Sequence, residues 1–286
     1  DALKKLRTII RWVIWTIAGL YITTIVLLHI PAVQGFLAQK VGDVAGNKLG
    51  TEVHVGRIDL GFINRFVLDD ILIYDQSHKK MLSASRVGAR VDIWHLLRTG
   101  EINISSAQLF GLRAELYKTS KDAKPNFQFV LDSLASKDTT SHTPLHLSIN
   151  SLVIRHGNIK YDCLDAPTTP NRLNLNHINV SDISSYLILN KLNDTSVWAD
   201  LRALAFKEAS GLEVKQLAFE LKANQQQATL RDFIFDGTNS KIALKELLTT
   251  YTFNNKKLDF NTLRYTIKDF KAAIKPSDFA PILPDL

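Results

Sequence analysis

His142 and His146 have the four-residue spacing that sets two imidazoles on one helix face for a metal ion. Pro144 stands between them in a polar stretch and breaks such a helix, so metal ligation there is disfavoured. Asp69, Asp70 and Asp75 gather around the end of an apolar stretch. Acid–base work would need one of them in a cleft with a raised pKa, and their setting reads instead as solvated turn carboxylates. Cys163 is the single cysteine and cannot form an internal disulfide. In its strand-like stretch it is expected to act as a small buried hydrophobe. The sequence has no Gly-x-Ser-x-Gly, no Gly-rich phosphate loop and no Cys-x-x-Cys. The expectation is a protein with no catalytic centre, metal or cofactor.

A net charge of +7 raises the question of nucleic acid. The basic residues, among them Lys215, Lys222, Lys241, Lys245 and Lys257, are scattered between apolar ones, and no arginine-rich run accompanies them. That pattern predicts a solvated basic surface with modest attraction to anionic headgroups, and no nucleic-acid partner.

The elements that would position any site begin with an anchor. From Trp12 to Leu28 no charged residue interrupts the chain, and at 1.5 Å per residue Ile9 to Ile30 spans roughly 33 Å, enough for a hydrocarbon core. Arg11 can snorkel to headgroups, and Trp12, Trp15 and Tyr21 supply amphipathic rings. Lys4, Lys5, Arg7 and Arg11 precede the segment and no basic residue follows until Lys40, which predicts a cytoplasmic N-terminus. Pro31 ends or kinks this helix. Val33, Phe36, Leu37, Val41, Val44, Ala45 and Leu49 then recur at the steps of an amphipathic helix, which Gly50 stops.

From Thr51 the periodicity turns to alternation. Strands are expected over 52–60, 66–74, 86–94, 101–109, 112–117, 145–155, 158–163, 173–180, 196–206, 212–223, 228–235, 241–253 and 258–274. A short helix is expected over 127–134, an exposed loop over 136–144, and turns at His156-Gly157-Asn158 and Asp236-Gly237. Leu147 and Ile149 share one parity and Leu152 and Ile154 the other, so a bulge is expected at Asn150-Ser151. Alternation in series predicts a mainly antiparallel sheet with one apolar face. That face could close on a second sheet as a sandwich or barrel, or curl into a trough.

The stretch from the anchor to about Phe129 resembles the amino-terminal region of the AsmA-like superfamily, most closely TamB-type proteins of Bacteroidota. The resemblance rests on 49–60 (LGTEVHVGRIDL), 67–75 (VLDDILIYD), Met81-Leu82, 91–97 (VDIWHLL), 125–129 (PNFQF) and the strand-turn-strand unit 149–161. It implies a mainly β protein in which one transmembrane helix and a short amphipathic helix precede an elongated, curled sheet, the β-taco or half-pipe. The expected division is 1–31 anchor, 32–50 amphipathic helix, 51–135 chorein-like N-terminal β region, 136–144 loop and 145–286 continuing β-groove. Such proteins sit in the inner membrane of Gram-negative bacteria with the β part periplasmic, and carry phospholipid towards the outer membrane. They are also tied to outer-membrane protein assembly with a barrel of the TamA/BamA type, in a translocation and assembly module. They are usually longer, so this sequence is expected to be an N-terminal part.

Expected groove residues are Leu147, Ile149, Leu217, Phe219, Leu221, Ile242, Leu244, Leu258 and Phe260, for each of which core packing is an equal reading. Expected anchor residues are Arg11, Trp12, Trp15, Tyr21 and Leu28.

Overall fold

A computed structural model describes residues 2–60, 64–92, 98, 102–135, 145–146, 150–193, 196–254 and 257–283. The chain opens with α1 (Ala2–Leu28). Its Arg7–Leu28 portion is long and apolar enough to cross a membrane, with a mean hydropathy of 1.7, and none of its most apolar window is buried against the rest of the protein. Thr16 and Thr24 each donate their hydroxyl to the carbonyl four residues back, so neither is left unpaired in an apolar medium. Arg11, Trp12, Trp15 and Tyr21 are exposed and Leu28 is half-buried. These features fit single-pass membrane anchoring.

Pro31 starts α2 (Pro31–Leu49), where its missing N–H costs nothing, and Gly50 ends it at φ 69°. The buried stripe is Gln34, Ala38, Gly42 and Gly46, flanked by half-buried Leu37 and Val41. Phe36 and Val44, assigned by spacing to the apolar face, point outward. Small residues win that face because α2 approaches β1 closely: a Cβ on Gly42 would lie 2.8 Å from the carbonyl oxygen of Val53.

The strands are β1 (Val53–Leu60), β2 (Arg65–Tyr74), β3 (Lys80–Val91), β4 (Ile102–Phe110) and β5 (Arg113–Lys118). After helix α3 (Gln128–Ala135) come β6 (Leu145–His146), β7 (Ser151–Cys163), β8 (His177–Asn193) and β9 (Ser196–Glu208). The last four are β10 (Glu213–Asn224), β11 (Gln227–Asp236), β12 (Lys241–Asn254) and β13 (Lys257–Ala273). They form one long sheet in the order β1-β2-β3-β4-β7-β8-β9-β10-β11-β12-β13, with β5 continuing the line of β4 against β7 and β6 pairing with β4. Neighbours are antiparallel except where β4 and β5 meet β7 and β4 meets β6. Among the described residues β1 pairs only with β2 and β13 only with β12, so the ladder stays open.

Three extents differ from the alternation pattern. β3 begins at Lys80, because Met81 and Ala84 are buried three positions apart and so escape a period-2 search. β7 runs straight through His156-Gly157, which make a bulge and not a turn. β8 extends to Asn193, well beyond 180, past register shifts that interrupt its alternation. The 136–144 loop, Ile93, Trp94 and the Leu147–Ile149 side of the expected bulge lie outside the described residues.

The bulge at His156 belongs to a crease that recurs across much of the sheet. Asp70 in β2, His156 in β7, Asp182 in β8, Asp232 in β11 and Asp269 in β13 all take left-handed φ of 49–56°, which Asp and His tolerate better than branched residues. Strands crossing it place core-face residues three apart instead of two: Val55 and Ile58, Leu68 and Ile71, Ala84 and Val87, Leu230 and Phe233, Leu244 and Leu247. The step of three keeps the same face apolar on both sides of the crease.

Candidate functional site

Residues paired across neighbouring strands share a face, so the register shows what that face carries. One row starts with Ile58, Leu68, Val87, Leu109 and Ile154. It continues through Ser185, Leu204, Leu217, Phe235, Ile242 and Ala272, so a single small hydroxyl interrupts eleven strands. A parallel row runs Phe66, Ala89, Ala107, Leu152, Leu187, Leu201 and Phe219. The Phe219 ring stacks on Phe233 at 6.5 Å between centroids, and Phe233 pairs with Leu244 and Leu244 with Phe270. A third, shorter row joins Leu189, Ala199, Leu221, Leu230, Leu247 and Ile267. At about 4.8 Å per strand, eleven strands carry this surface over roughly 48 Å.

Of the expected groove residues, Leu217, Phe219, Leu221, Ile242 and Leu244 are therefore brought together on one face. Phe260 is not: it falls in the irregular 260–263 stretch of β13 and is 77% exposed. Leu258 pairs through its backbone with Phe253, and Leu147 and Ile149 lie outside the described residues. Sequence reasoning missed the continuation through β2–β4 and β7–β9, which the register alone reveals.

What covers the rows varies along the sheet. Over β1 and β2, α2 supplies Leu37, Ala38 and Val41 against Val55, Ile58, Phe66, Leu68 and Ile71. On β4 and β7–β11, row members are mostly half-buried, and at β13 Ile267 and Phe270 are 50% and 57% exposed. The 276–283 segment crosses the sheet end where β11 turns into β12. Phe279 meets Phe235 at 5.7 Å, and the Pro281 carbonyl accepts from Leu173 N in the β7–β8 connection. Asp278 anchors it by accepting from Asn239 N at 2.6 Å and Nδ2 at 3.0 Å; these bonds outweigh burial and bring its pKa down to about 2.

The opposite face carries a charged row on β10–β13, beside apolar neighbours such as Ala218, Ile234 and Ala243. From β10 to β13 the register aligns Glu220, Arg231, Glu246 and Lys268, with Glu246 bonded to both Arg231 (3.0 Å) and Lys268 (2.5 Å). Trp198 donates to Glu220 while Lys222 sits 4.2 Å from its ring centroid. A cleft of about 670 Å³ opens beside the crease, near His54, Asp70, Lys80, Arg113, Glu115 and His156. Its acids and bases are mixed, and Ile71 and Ala84 also line it.

Of the three carboxylates read as solvated turn groups, Asp70 is exposed, whereas Asp69 and Asp75 need correction. Asp69 is buried between Arg57 (2.9 Å) and Arg86 (2.7 Å), and the Arg86 bond, with that of Arg57, outweighs burial to hold its pKa low. Asp75 is 2% exposed. Its Oδ1 accepts from Ser77 N and Lys79 N, and its Oδ2 accepts from the Tyr117 hydroxyl and, at 3.5 Å, from Asn126. Burial pushes this acid up, but those donors together hold it below the usual range. Both acids tie strands and turns together. Cys163 is fully buried, with its thiol 3.0 Å from Asp165, whose carboxylate pushes the thiol pKa up. Among the described residues no group of three His, Cys, Asp or Glu is placed to hold a metal.

No protein-family model matches the chain, and a search of curated proteins finds no significant match.

Proposed function

We propose that this chain is a membrane-anchored, bridge-like protein that carries phospholipid acyl chains along the apolar rows of its sheet. The observation that carries the reading is the register itself: apolar neighbours follow one another across eleven strands, with α2 over the first two. Moving an acyl chain through water costs about 0.8 kcal/mol per CH₂, so a lipid in transit needs an unbroken dry path. The headgroup would stay in water at the margin. Surface area supports the reading too: the molecule exposes 19532 Å², against roughly 12,000 Å² for a compact monomer of its mass.

In this reading α1 holds the chain in the inner membrane with the basic N-terminus cytoplasmic, and the sheet stands in the periplasm of a Gram-negative envelope. The α2 end receives lipid and β13 lies farthest along the path. The resemblance to TamB-type proteins points the same way. No bond is made or broken, and no cofactor is needed.

A photo-crosslinking residue in place of Phe219 or Leu244 tests this in cells. Capture of phospholipid at both, and not at Thr229 on the other face, is the expected result. Crosslinks confined to protein, with copurification of an outer-membrane barrel of the TamA/BamA type, would replace transport by a scaffold for outer-membrane protein assembly.

A further inference from the structure

At one end of the sheet two arginines face each other without an acid. Arg65 of β2 pairs directly with Arg90 of β3, and both are exposed. Val91 N donates to the Asn64 carbonyl, so the next pair, Arg65–Arg90, is of the non-hydrogen-bonded kind, with Cα atoms about 4.5 Å apart. Like charges so placed repel each other. Farther along the same face, Arg57 and Arg86 enclose Asp69 at 2.9 and 2.7 Å. No acid among the described residues does this for Arg65 and Arg90, whose row continues into Ser106 and Ser151. Their counter-ion has to come from outside the fold.

The packing of α2 shows what lies next to that end. Cβ atoms on Gly46 and Gly42 would meet the carbonyls of Thr51 and Val53, and Ala38 packs with Val55 and Ile58. The helix therefore runs back along β1, and its Pro31 end lies beside Leu60, the partner of Phe66. Arg65 and Arg90 stand at this same end, one and two strands from β1, or roughly 5 and 10 Å. Only His29 and Ile30 separate Pro31 from α1, the helix that fits a membrane span. Phe36, in the same half of α2, is 59% exposed and has the Lys40 Nζ 5.8 Å from its ring centroid. An apolar ring and the cations of Lys40, Arg65 and Arg90 thus gather where the chain leaves the bilayer.

We propose that Arg65 and Arg90, with Lys40 and Phe36 of α2, seat this end of the sheet on the anionic headgroups of the bilayer that α1 enters. A lipid phosphate between the two guanidinium groups takes the place that Asp69 holds between Arg57 and Arg86. Guanidinium forks match phosphate oxygens in pairs. Phe36 enters the headgroup boundary while Lys40 stays at its surface. Seating fixes how the sheet stands on the membrane, which α1 and a short joint alone do not. It depends on anchoring by α1 and not on lipid transport, and holds whatever the apolar rows carry.

The test uses the full chain in nanodiscs, with a fluorophore on Ser106→Cys beside Arg90 and a nitroxide on the lipid headgroups. Cys163 is fully buried and stays unlabelled. Quenching should be at least threefold stronger in discs containing about one-third phosphatidylglycerol than in phosphatidylcholine alone. Arg65→Gln with Arg90→Gln should remove that difference, and Arg65→Lys with Arg90→Lys should keep most of it. The glutamine variant relieves a like-charge contact, so in neutral detergent it should melt no lower than the parent. Quenching that is equal in both lipid mixtures, or unchanged by the glutamines, would overturn the proposal. So would a lower melting temperature of the glutamine variant, which would place the missing partner within the protein. Stabilisation of the parent by inorganic phosphate, with equal quenching in both mixtures, would assign the arginines to a free anion and overturn it too. None of these readings touches lipid transport, which the crosslinks at Phe219 and Leu244 report.

Discussion

Asp75 is a carboxylate that gathers four donors at once. Asp75→Ala leaves the Tyr117 hydroxyl and two backbone N–H groups short of an acceptor, while the Asn126 amide keeps its bond to the Glu115 carbonyl. A loss of about 2–4 kcal/mol is expected from denaturant unfolding, while Asp75→Asn should cost less because it keeps one acceptor oxygen. Asp278 provides a pH test of the segment across the sheet end. Its folded pKa of about 2 lies below the unfolded value near 3.9, so its contribution is complete above pH ~4 and fades as pH falls towards 2. Amide exchange at Asn239 and Leu173 should rise over that window, and Asp278→Asn should flatten the rise. Neither role was legible beforehand. The acids were visible as residues, and Ser77 and Lys79 lie close to Asp75 in the chain, but Tyr117 and Asn126 reach Asp75 from 42 and 51 positions away and Asn239 reaches Asp278 from 39, which local pattern cannot supply.

At the scale of elements, α2 makes the sharpest prediction. Gly42→Ala drives a Cβ into the Val53 carbonyl and should destabilise by roughly 1–3 kcal/mol. Gly35→Ala, on the same helix with open space around it, should stabilise by about 0.5–1 kcal/mol. Melting curves of the two variants should move in opposite directions. The existence of α1, α2 and most strands was readable from hydropathy and alternation, since those signals are local. The packed face of α2 was not, because glycine and alanine carry no hydropathic signal yet permit the closest approach. The crease hid the full length of β3, β7 and β8 for a related reason: each strand crossing it breaks period two. Leu217, Phe219, Leu221, Ile242 and Leu244 were legible as one face because they lie clear of it or on its regular side.

For the whole molecule, an open ladder with an exposed edge implies an extended particle. Small-angle scattering of the protein in contrast-matched detergent should give a radius of gyration well above the roughly 19 Å of a compact chain of this length. A value near 19 Å would mean that the sheet folds back on itself and buries the rows. Whether the face closed or stayed open could not be read from alternation, which is identical in a sandwich, a barrel and a single sheet. The register decided the pairing, and the register depends on contacts between distant strands.

The parallel seam, where β4 and β5 lie against β7, has a consequence for how such a sheet is made. Every other join in the strand path links consecutive strands, so each closes only a short connection. At the seam Phe110 must find Arg155, about 45 residues on. Loop closure over that distance is the slow, entropically costly event of assembly. Refolding should therefore show two phases, with β1–β3 and β8–β13 protected early and β4, β5 and β7 late. A chain emerging N-terminus first could complete one meander, wait at the seam, and then lengthen strand by strand.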